Sequence, residues 1–205
     1  MPIDLIDLTT RQIVLLAYSC VITLGIMAIY LQVFGRFKAS KTHKEDYVVK
    51  SRVETLSMSA FFVVVYLTVR FGIGSFGIPD GWYYPLSGLA IVVLAIGVFF
   101  NLRGRDILGK NWGNHVVIYK DHELVTSGVY RIVRHPLYAS IIWMIFAVGV
   151  IYANYWVFIL NAVVFIPAMY YRAKQEEAEL LKRFKDYKKY KKAVGMFFPK
   201  PGRLS

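Results

Sequence analysis

The chain has 205 residues, of which 57% are hydrophobic and only 19% are charged. Soluble domains contain about 45–50% apolar and about 25% charged residues, so this composition excludes an ordinary soluble domain and a disordered chain. The single cysteine, Cys20, excludes a disulfide-bonded scaffold. A formal net charge of +12 would indicate nucleic acid as the partner of a soluble protein, but in a chain this apolar we interpret it as a basic surface facing anionic lipid. We therefore predict an integral membrane protein without a nucleic-acid partner.

The first half of the chain contains three apolar segments that could cross a membrane. Residues 13–34 and 82–102 carry no charge, and each is long enough because a spanning helix needs about 20 apolar residues. Residues 55–69 form a shorter apolar segment that ends at Arg70. The long side chain of Arg70 can reach the membrane surface, or it can pair with Asp80. We predict three spanning helices here.

The second half contains one longer apolar segment, residues 137–171, which has no charged residue. As a single helix it would be about 52 Å long, which exceeds the thickness of a bilayer. A break at residues 153–155, Ala-Asn-Tyr, gives two spans whose lengths are at the short end of the usual range. The predicted total is therefore five transmembrane helices.

The distribution of basic residues supports this count. Lysine and arginine are concentrated in three segments, residues 35–54, 103–135 and 172 onward, whereas residues 74–81 contain neither. The positive-inside rule places all three basic segments in the cytoplasm, and five spans satisfy it with the N-terminus outside and the C-terminus inside. We predict an all-α, multi-pass membrane protein in which residues 1–205 form one domain.

Polar residues that could perform chemistry are concentrated in the loop between the third and fourth predicted spans, residues 103–135, and in the tail. Pro136 suits the first turn of a helix, so Arg134, His135 and Tyr138 are expected where the chain re-enters the membrane. A helix N-terminus offers backbone N–H groups to an anion, and an arginine adds planar donors for a carboxylate or phosphate. The alternative, which composition alone favours, is that these side chains only contact lipid headgroups.

Two further features of this region bear on a binding site. His115, His122 and His135 lie 7 and 13 residues apart, a spacing that fits no compact zinc motif, so no metal site is predicted. Residues 172–194 show helical periodicity, with lysines on one face. Three acidic residues of that helix, Glu176, Glu177 and Glu179, come about one turn after the point where the chain is predicted to leave the membrane. They lie on the same side of the membrane as Arg134 and His135. Acids close to this Arg-His-Pro turn indicate a candidate cofactor pocket.

The residues of the loop and tail resemble a known family. The loop reads His122-x-Leu124-Val-x-x-Gly128-x-Tyr130-Arg131-x-x-Arg134-His135-Pro136-x-Tyr138, preceded by Gly109-x-Asn111-Trp112. The tail reads Arg172-x-x-x-Glu176-Glu177, followed by Leu180, Phe184, Tyr187, Tyr190 and Phe198-Pro199. Together these resemble the signature of the isoprenylcysteine carboxyl methyltransferase family, and a looser form occurs in phospholipid N-methyltransferases. The likeness covers residues 108–199.

This resemblance implies an integral membrane methyltransferase that uses S-adenosylmethionine, releases S-adenosylhomocysteine and acts on a lipophilic acceptor, most simply a prenylated cysteine carboxylate. The family's cofactor pocket is formed by the cytoplasmic loop, the start of the next span and the C-terminal helix. Carried over residue by residue, the cofactor would contact His122, Leu124, Tyr130, Arg134, His135, Pro136, Tyr138, Glu176 and Glu177. The catalytic residues would be Arg134, Arg172 and Glu177.

The sequence leaves the acceptor and two other functions open. A carboxylate acceptor is ionised at neutral pH and needs only a cation to orient it, whereas an amine or thiol needs a base such as His135 or a tail glutamate. An NADPH-dependent membrane reductase with a similar Arg-His-Pro-x-Tyr segment is a second possibility. A non-enzymatic lipid-binding protein is the third. The oligomeric state and the membrane that houses the protein stay open.

Overall fold

The computed structural model describes residues 10–39, 45–49, 52–112, 116–119 and 123–200. Its seven α-helices within these ranges are α1 Thr10–Ala39, α2 Arg52–Arg70, α3 Asp80–Leu108, α4 Pro136–Ile151, α5 Tyr155–Leu160, α6 Ile166–Arg183 and α7 Tyr187–Ala193. A π-helical segment, Asn161–Phe165, joins α5 to α6 without interrupting the helix direction. Short 3-10 turns, Gly109–Asn111 and Gly128–Arg131, lie at the two ends of the loop between α3 and α4.

The helices coincide with the apolar segments predicted from the sequence. Three are long and apolar enough to cross a membrane, namely Thr10–Gly35, Asp80–Asn111 and Tyr155–Arg183. Two shorter apolar helices, Leu56–Arg70 and Pro136–Ile151, occupy the positions of the other two predicted spans. The protein is therefore an integral membrane protein with a helical fold, while the count of five spans and the orientation of the termini stay predictions.

Two strands, which the all-α prediction did not include, connect the loops on the basic side. β1 Glu45–Val49 pairs antiparallel with β2 Val116–Tyr119, with Val49 opposite Val116. Both strands have sequences rich in valine, isoleucine and tyrosine, which favour extended structure. Their separation in sequence explains why a search for local hairpin patterns misses them. Within the residues that the structure describes, the fold is thus helical apart from one two-stranded sheet.

The predicted break in the long apolar segment is present, and Asn154 holds it. Ala153 has a positive φ of 45°, which ends α4 and turns the chain into α5. The buried Asn154 side chain accepts a hydrogen bond from the backbone N–H of Val157 at 3.3 Å. Its amide donates to the carbonyl oxygens of Ile73 at 3.0 Å and Thr68 at 3.3 Å. This side chain therefore connects the α4–α5 turn to the end of α2.

The start of α4 is packed closely against the end of α3. A Cβ atom at Gly97 would lie 3.1 Å from the backbone oxygen of Ser140, so the two helices need a glycine at this crossing. The buried Asn101 side chain donates to Ser140 Oγ at 2.7 Å and accepts a hydrogen bond from Arg105. These contacts fix the segment that carries residues 134–138 relative to the C-terminal end of α3.

Asn154→Ala should lower the free energy of unfolding by about 1–3 kcal/mol, because buried backbone groups lose their hydrogen-bond partner. Thermal unfolding of the detergent-purified protein measures this effect. Thr23→Ala is the control, since the Thr23 hydroxyl is exposed and bonds only within its own helix. An equal loss of stability in both variants would contradict the role assigned to Asn154.

Candidate functional site

The tail of the chain pairs with the segment that leads into α4. The backbone N–H groups of Arg134 and His135 donate to the carbonyl oxygens of Gly195 at 2.8 Å and Met196 at 3.2 Å. Pro136 occupies the first turn of α4, as predicted. Because the tail accepts these two N–H groups, neither is available to an anion. At this end of α4, a ligand could therefore contact the side chains of the first turn but not the N–H groups of residues 134 and 135.

Arg134 is buried and its donors are used within the protein. Nε and Nη2 each lie 2.8 Å from Glu177 Oε1. Nη1 donates to the carbonyl oxygen of Lys191 at 3.1 Å and also to that of Val194. Arg134 thus joins the start of α4 to α6 and to the end of α7.

Glu177 is the acid at the centre of this network, and its side chain is only 1% exposed. Oε1 is shared by Arg134 and by His135 Nε2, which lies 3.3 Å away. Oε2 lies 2.6 Å from Lys191 Nζ. Both carboxylate oxygens are therefore engaged by cationic or polar side chains of the protein. This arrangement holds three parts of the chain together, and Glu177 does not line the adjacent cavity.

Glu176, in contrast, faces the cavity and is 36% exposed. Its Oε2 accepts a hydrogen bond from the Tyr138 hydroxyl at 3.2 Å and lies 3.6 Å from His135 Nδ1. The Tyr138 hydroxyl in turn accepts from Arg172 Nε at 3.2 Å, and the Arg172 guanidinium lies 5.7 Å from the centre of the Tyr138 ring. Tyr138 therefore joins one acid and one cation on successive turns of α6.

The electrostatic environment of His135 favours its protonated form. Burial alone would lower the pKa of His135, but the hydrogen bonds and negative charges of Glu176 and Glu177 outweigh burial and raise this pKa above its ordinary value. The imidazole ring is stacked on Tyr138, with ring centres 5.6 Å apart and planes 9° from parallel. The His135 ring is thus held in place by Tyr138 and lies between the carboxylates of Glu176 and Glu177, which favour its positive charge.

The cavity itself is an open cleft of about 750 Å³. It lies between the end of α3, the segment before α4, α6 and α7. Its walls are largely aromatic and aliphatic, formed by Leu108, Trp112, Leu124, Val125, Tyr130, Pro136, Leu137, Leu180, Tyr187 and Tyr190, with Asn111, Glu123, Arg134, His135, Tyr138 and Glu176 as polar members. Tyr190 is held over the cleft by a hydrogen bond from its hydroxyl to the Tyr130 carbonyl at 2.6 Å.

Several of these residues were not among the predicted contacts. Asn111 exchanges two hydrogen bonds with the backbone of Glu123, each 3.2 Å long, and so closes the loop over the cleft. The signal for Asn111 and Trp112 was present, because they precede the loop motif in the sequence. Tyr187 and Tyr190 belong to the apolar face of the predicted tail helix. The sequence does not show which part of the protein that face contacts, and the fold places it against the cleft.

The structure brings most of the predicted site residues together. Those that line the cleft are Leu124, Tyr130, Arg134, His135, Pro136, Tyr138 and Glu176. Glu177 lies behind them, and Arg172 lies beside the cleft and contacts it through Tyr138. His122 lies outside the residues that the structure describes.

Comparison with known proteins gives one family and one fold. Residues 89–182 match the model of the isoprenylcysteine carboxyl methyltransferase (ICMT) family. No curated protein sequence matches the chain. Among solved structures, the chain is similar to the eukaryotic intramembrane Ras methyltransferase ICMT, with a TM-score of 0.66 and 22% sequence identity over 95% of this chain and 69% of that one. At this identity the structural similarity shows the fold.

Residues 89–182, somewhat less than half of the chain, match the model of a membrane methyltransferase family, and the solved methyltransferase shares this helical membrane fold. The family that the loop and tail motifs predicted, the isoprenylcysteine carboxyl methyltransferases, is confirmed for residues 89–182.

Glu177→Ala should destabilise the protein by about 3–5 kcal/mol, because it leaves the buried Arg134 and the partly buried Lys191 without their acid. Glu179→Ala is the matched control. Glu179 pairs with Lys182, whose side chain is 72% exposed, and a pair at the surface contributes at most about 1 kcal/mol. Denaturation in detergent compares the two variants, and similar losses would contradict a special role for Glu177.

His135 should make stability depend on pH in a defined direction. Its folded-state pKa is raised, so its contribution to stability is complete below the unfolded value of about 6.5 and is lost as the pH rises through the folded-state pKa. The difference in melting temperature between the wild type and His135→Gln should therefore be larger at about pH 6 than at about pH 9. A difference that grows over this range would contradict the assignment.

Proposed function

We propose that the cleft binds S-adenosylmethionine and that the protein transfers the methyl group to the carboxylate of a lipophilic, isoprenylcysteine-type acceptor. The observation that carries this proposal is the position of Glu176, Tyr138 and Arg172, which line or border the cleft where α4 and α6 meet the membrane surface. The acceptor carboxylate would approach from the bilayer side, and the cofactor would occupy the opposite side. The basic loops and the C-terminus would then lie in the cytoplasm.

The residues present suit this cofactor. The cleft is concave and lined mostly by aromatic and apolar side chains with a few polar groups, which is typical of small-molecule sites. Aromatic faces, here Trp112, Tyr130 and Tyr187, attract a cation and stack on a planar base. Glu176 offers a partly exposed carboxylate, an acceptor for ribose hydroxyls or for an amine. We assign this contact to Glu176, while Glu177 and Arg134 hold the cleft in shape.

When bound, S-adenosylmethionine supplies a methyl group on a positively charged sulfur. A carboxylate acceptor is ionised at neutral pH and needs no base, so the protein has to align the acceptor and exclude water. Arg172 is the residue we assign to orient the acceptor carboxylate. Its side chain is held by Tyr138, and it lies four residues before Glu176, hence on the same face of α6 but nearer to the apolar segment.

The environment of His135 favours a carboxylate over an amine or thiol acceptor. An amine or thiol would require a general base. His135 is the imidazole in the cleft, but its ring nitrogens lie 3.6 Å from Glu176 and 3.3 Å from Glu177, and its raised pKa favours the protonated form. A protonated imidazole donates hydrogen bonds and accepts no proton.

The reductase alternative is less well supported by the same contacts. A nicotinamide cofactor with a 2′-phosphate needs cationic donors facing the ligand. The donors of Arg134 are committed to Glu177 and to two carbonyl groups. Glu176, which faces the cleft, would repel a phosphate.

Calorimetry on the purified protein should detect saturable binding of S-adenosylhomocysteine and none of NADPH. Glu176→Gln should weaken this binding by about tenfold, which corresponds to the loss of one charge-assisted hydrogen bond. Arg172→Gln should leave the affinity for S-adenosylhomocysteine unchanged but lower kcat for methylation of a small prenylcysteine. The reason is that Arg172 is assigned to the acceptor alone.

Two controls sharpen this experiment. The amide of the same prenylcysteine, which lacks the carboxylate, should not be methylated. Glu179→Gln, one turn away and outside the cleft, should bind and react like the wild type. Binding of NADPH alone, or methylation of the amide, would overturn the proposed function.

A further inference from the structure

The short helix α7 has two chemically different faces. Tyr187 and Tyr190 point toward the cofactor cleft, whereas Lys188, Lys189 and Lys192 are exposed. The sequence of α7, Tyr-Lys-Lys-Tyr-Lys-Lys-Ala, contains no acidic residue. Lysines three and four positions apart on one helix repel one another. An anionic surface against this face would relieve that repulsion.

The chain that follows α7 brings this face to the level of the membrane surface. Gly195 forms a β-bridge with Val133, directly before α4. Three residues later, the ring of Phe198 lies 6.3 Å from that of Trp143, which is about 10 Å along α4 from Pro136. Phe198 is 60% exposed at a depth where α4 is apolar. If α4 is inserted in the bilayer as predicted, Phe198 lies against the hydrocarbon, and α7, which ends at Ala193, lies near the headgroups.

Hydrogen bonds and an ion pair also connect α7 to the residues around the cleft. The Lys191 ammonium contacts Glu177, and the Lys191 carbonyl accepts from Arg134. Tyr190 is bonded to the Tyr130 backbone across the cleft. A contact that holds α7 in place consequently also holds one wall of the cofactor cleft.

We propose that the lysine face of α7 binds anionic phospholipid headgroups and that this contact increases the affinity of the cleft for its cofactor. The inference rests on the proposed function, because it concerns the same cleft. It makes the surface charge of the membrane a regulator of cofactor binding. The exposed cationic face and the apolar Phe198 beside it fit a lipid surface, which offers headgroup charge and hydrocarbon side by side.

The test uses the full chain in nanodiscs of phosphatidylcholine, with or without phosphatidylserine. The dissociation constant of S-adenosylhomocysteine should be about fivefold lower in the anionic nanodiscs, a typical size for coupling between two sites. The triple variant Lys188→Gln, Lys189→Gln, Lys192→Gln should lose this difference. The triple Lys→Arg variant at the same positions keeps the charge and should retain it. Added salt should reduce the effect, because it screens exposed charges.

The outcomes separate this inference from the proposed function. Equal affinities in both lipids, or a lipid response that survives the Lys→Gln changes, would overturn the role of α7 while leaving the methyltransferase cleft in place. A response to an added acidic peptide but not to phosphatidylserine would assign the face to a protein partner instead. Absence of S-adenosylhomocysteine binding in every lipid, with folding verified by thermal unfolding, would overturn both proposals.

Discussion

The buried carboxylate of Glu177 holds the start of α4, the middle of α6 and the end of α7 in one arrangement. Removing a carboxylate from water costs several kcal/mol, and the cost is offset only when cations and hydrogen-bond donors surround it closely. Here Arg134 lies 2.8 Å away, Lys191 2.6 Å and His135 3.3 Å. If α4, α6 or α7 were displaced, a buried charge would lose its partner, so the three helices are expected to pack together or not at all. The cleft has a defined shape because this network joins three of the elements that surround it.

The neighbouring residue, Glu176, is used differently because successive helical residues point about 100° apart. Glu177 turns toward Arg134 and α7, whereas Glu176 turns toward the cleft and Tyr138. The two acids also share His135. The imidazole ring of His135 therefore couples the network that shapes the cleft to the acid that faces the cleft. The contacts of Lys191 with Glu177, of Glu177 with His135 and of His135 with Glu176 form a continuous path from α7 to the cleft.

Part of this organisation follows from the sequence, and part depends on packing. Apolar length alone locates the membrane helices, and the break at Asn154 follows because one helix of that length would not fit a bilayer. The proximity of Glu176 to His135 follows from the loop and tail motifs. The assignment of ligand contact to one of two adjacent glutamates does not follow, because it depends on which way α6 is rotated against α4. The pairing of Gly195 with Val133 is equally hidden, since it joins segments that are distant in sequence and carry no strand pattern.

The lengths of the helices bear on how a lipid acceptor reaches the cleft. α4 has 16 residues and is about 24 Å long, which is less than the hydrocarbon thickness of about 30 Å. A span this short is accommodated when its first turn lies below the headgroups or when the bilayer thins around it. In either case the first turn of α4, with Tyr138, lies deeper than the headgroups of the surrounding, unperturbed bilayer. Arg172, one turn nearer to the apolar segment of α6 than Glu176, is bonded to Tyr138 and lies beside it. If α4 spans the bilayer, as the five-helix prediction requires, its short length brings the proposed acceptor side of the cleft to the depth of a membrane-anchored carboxylate.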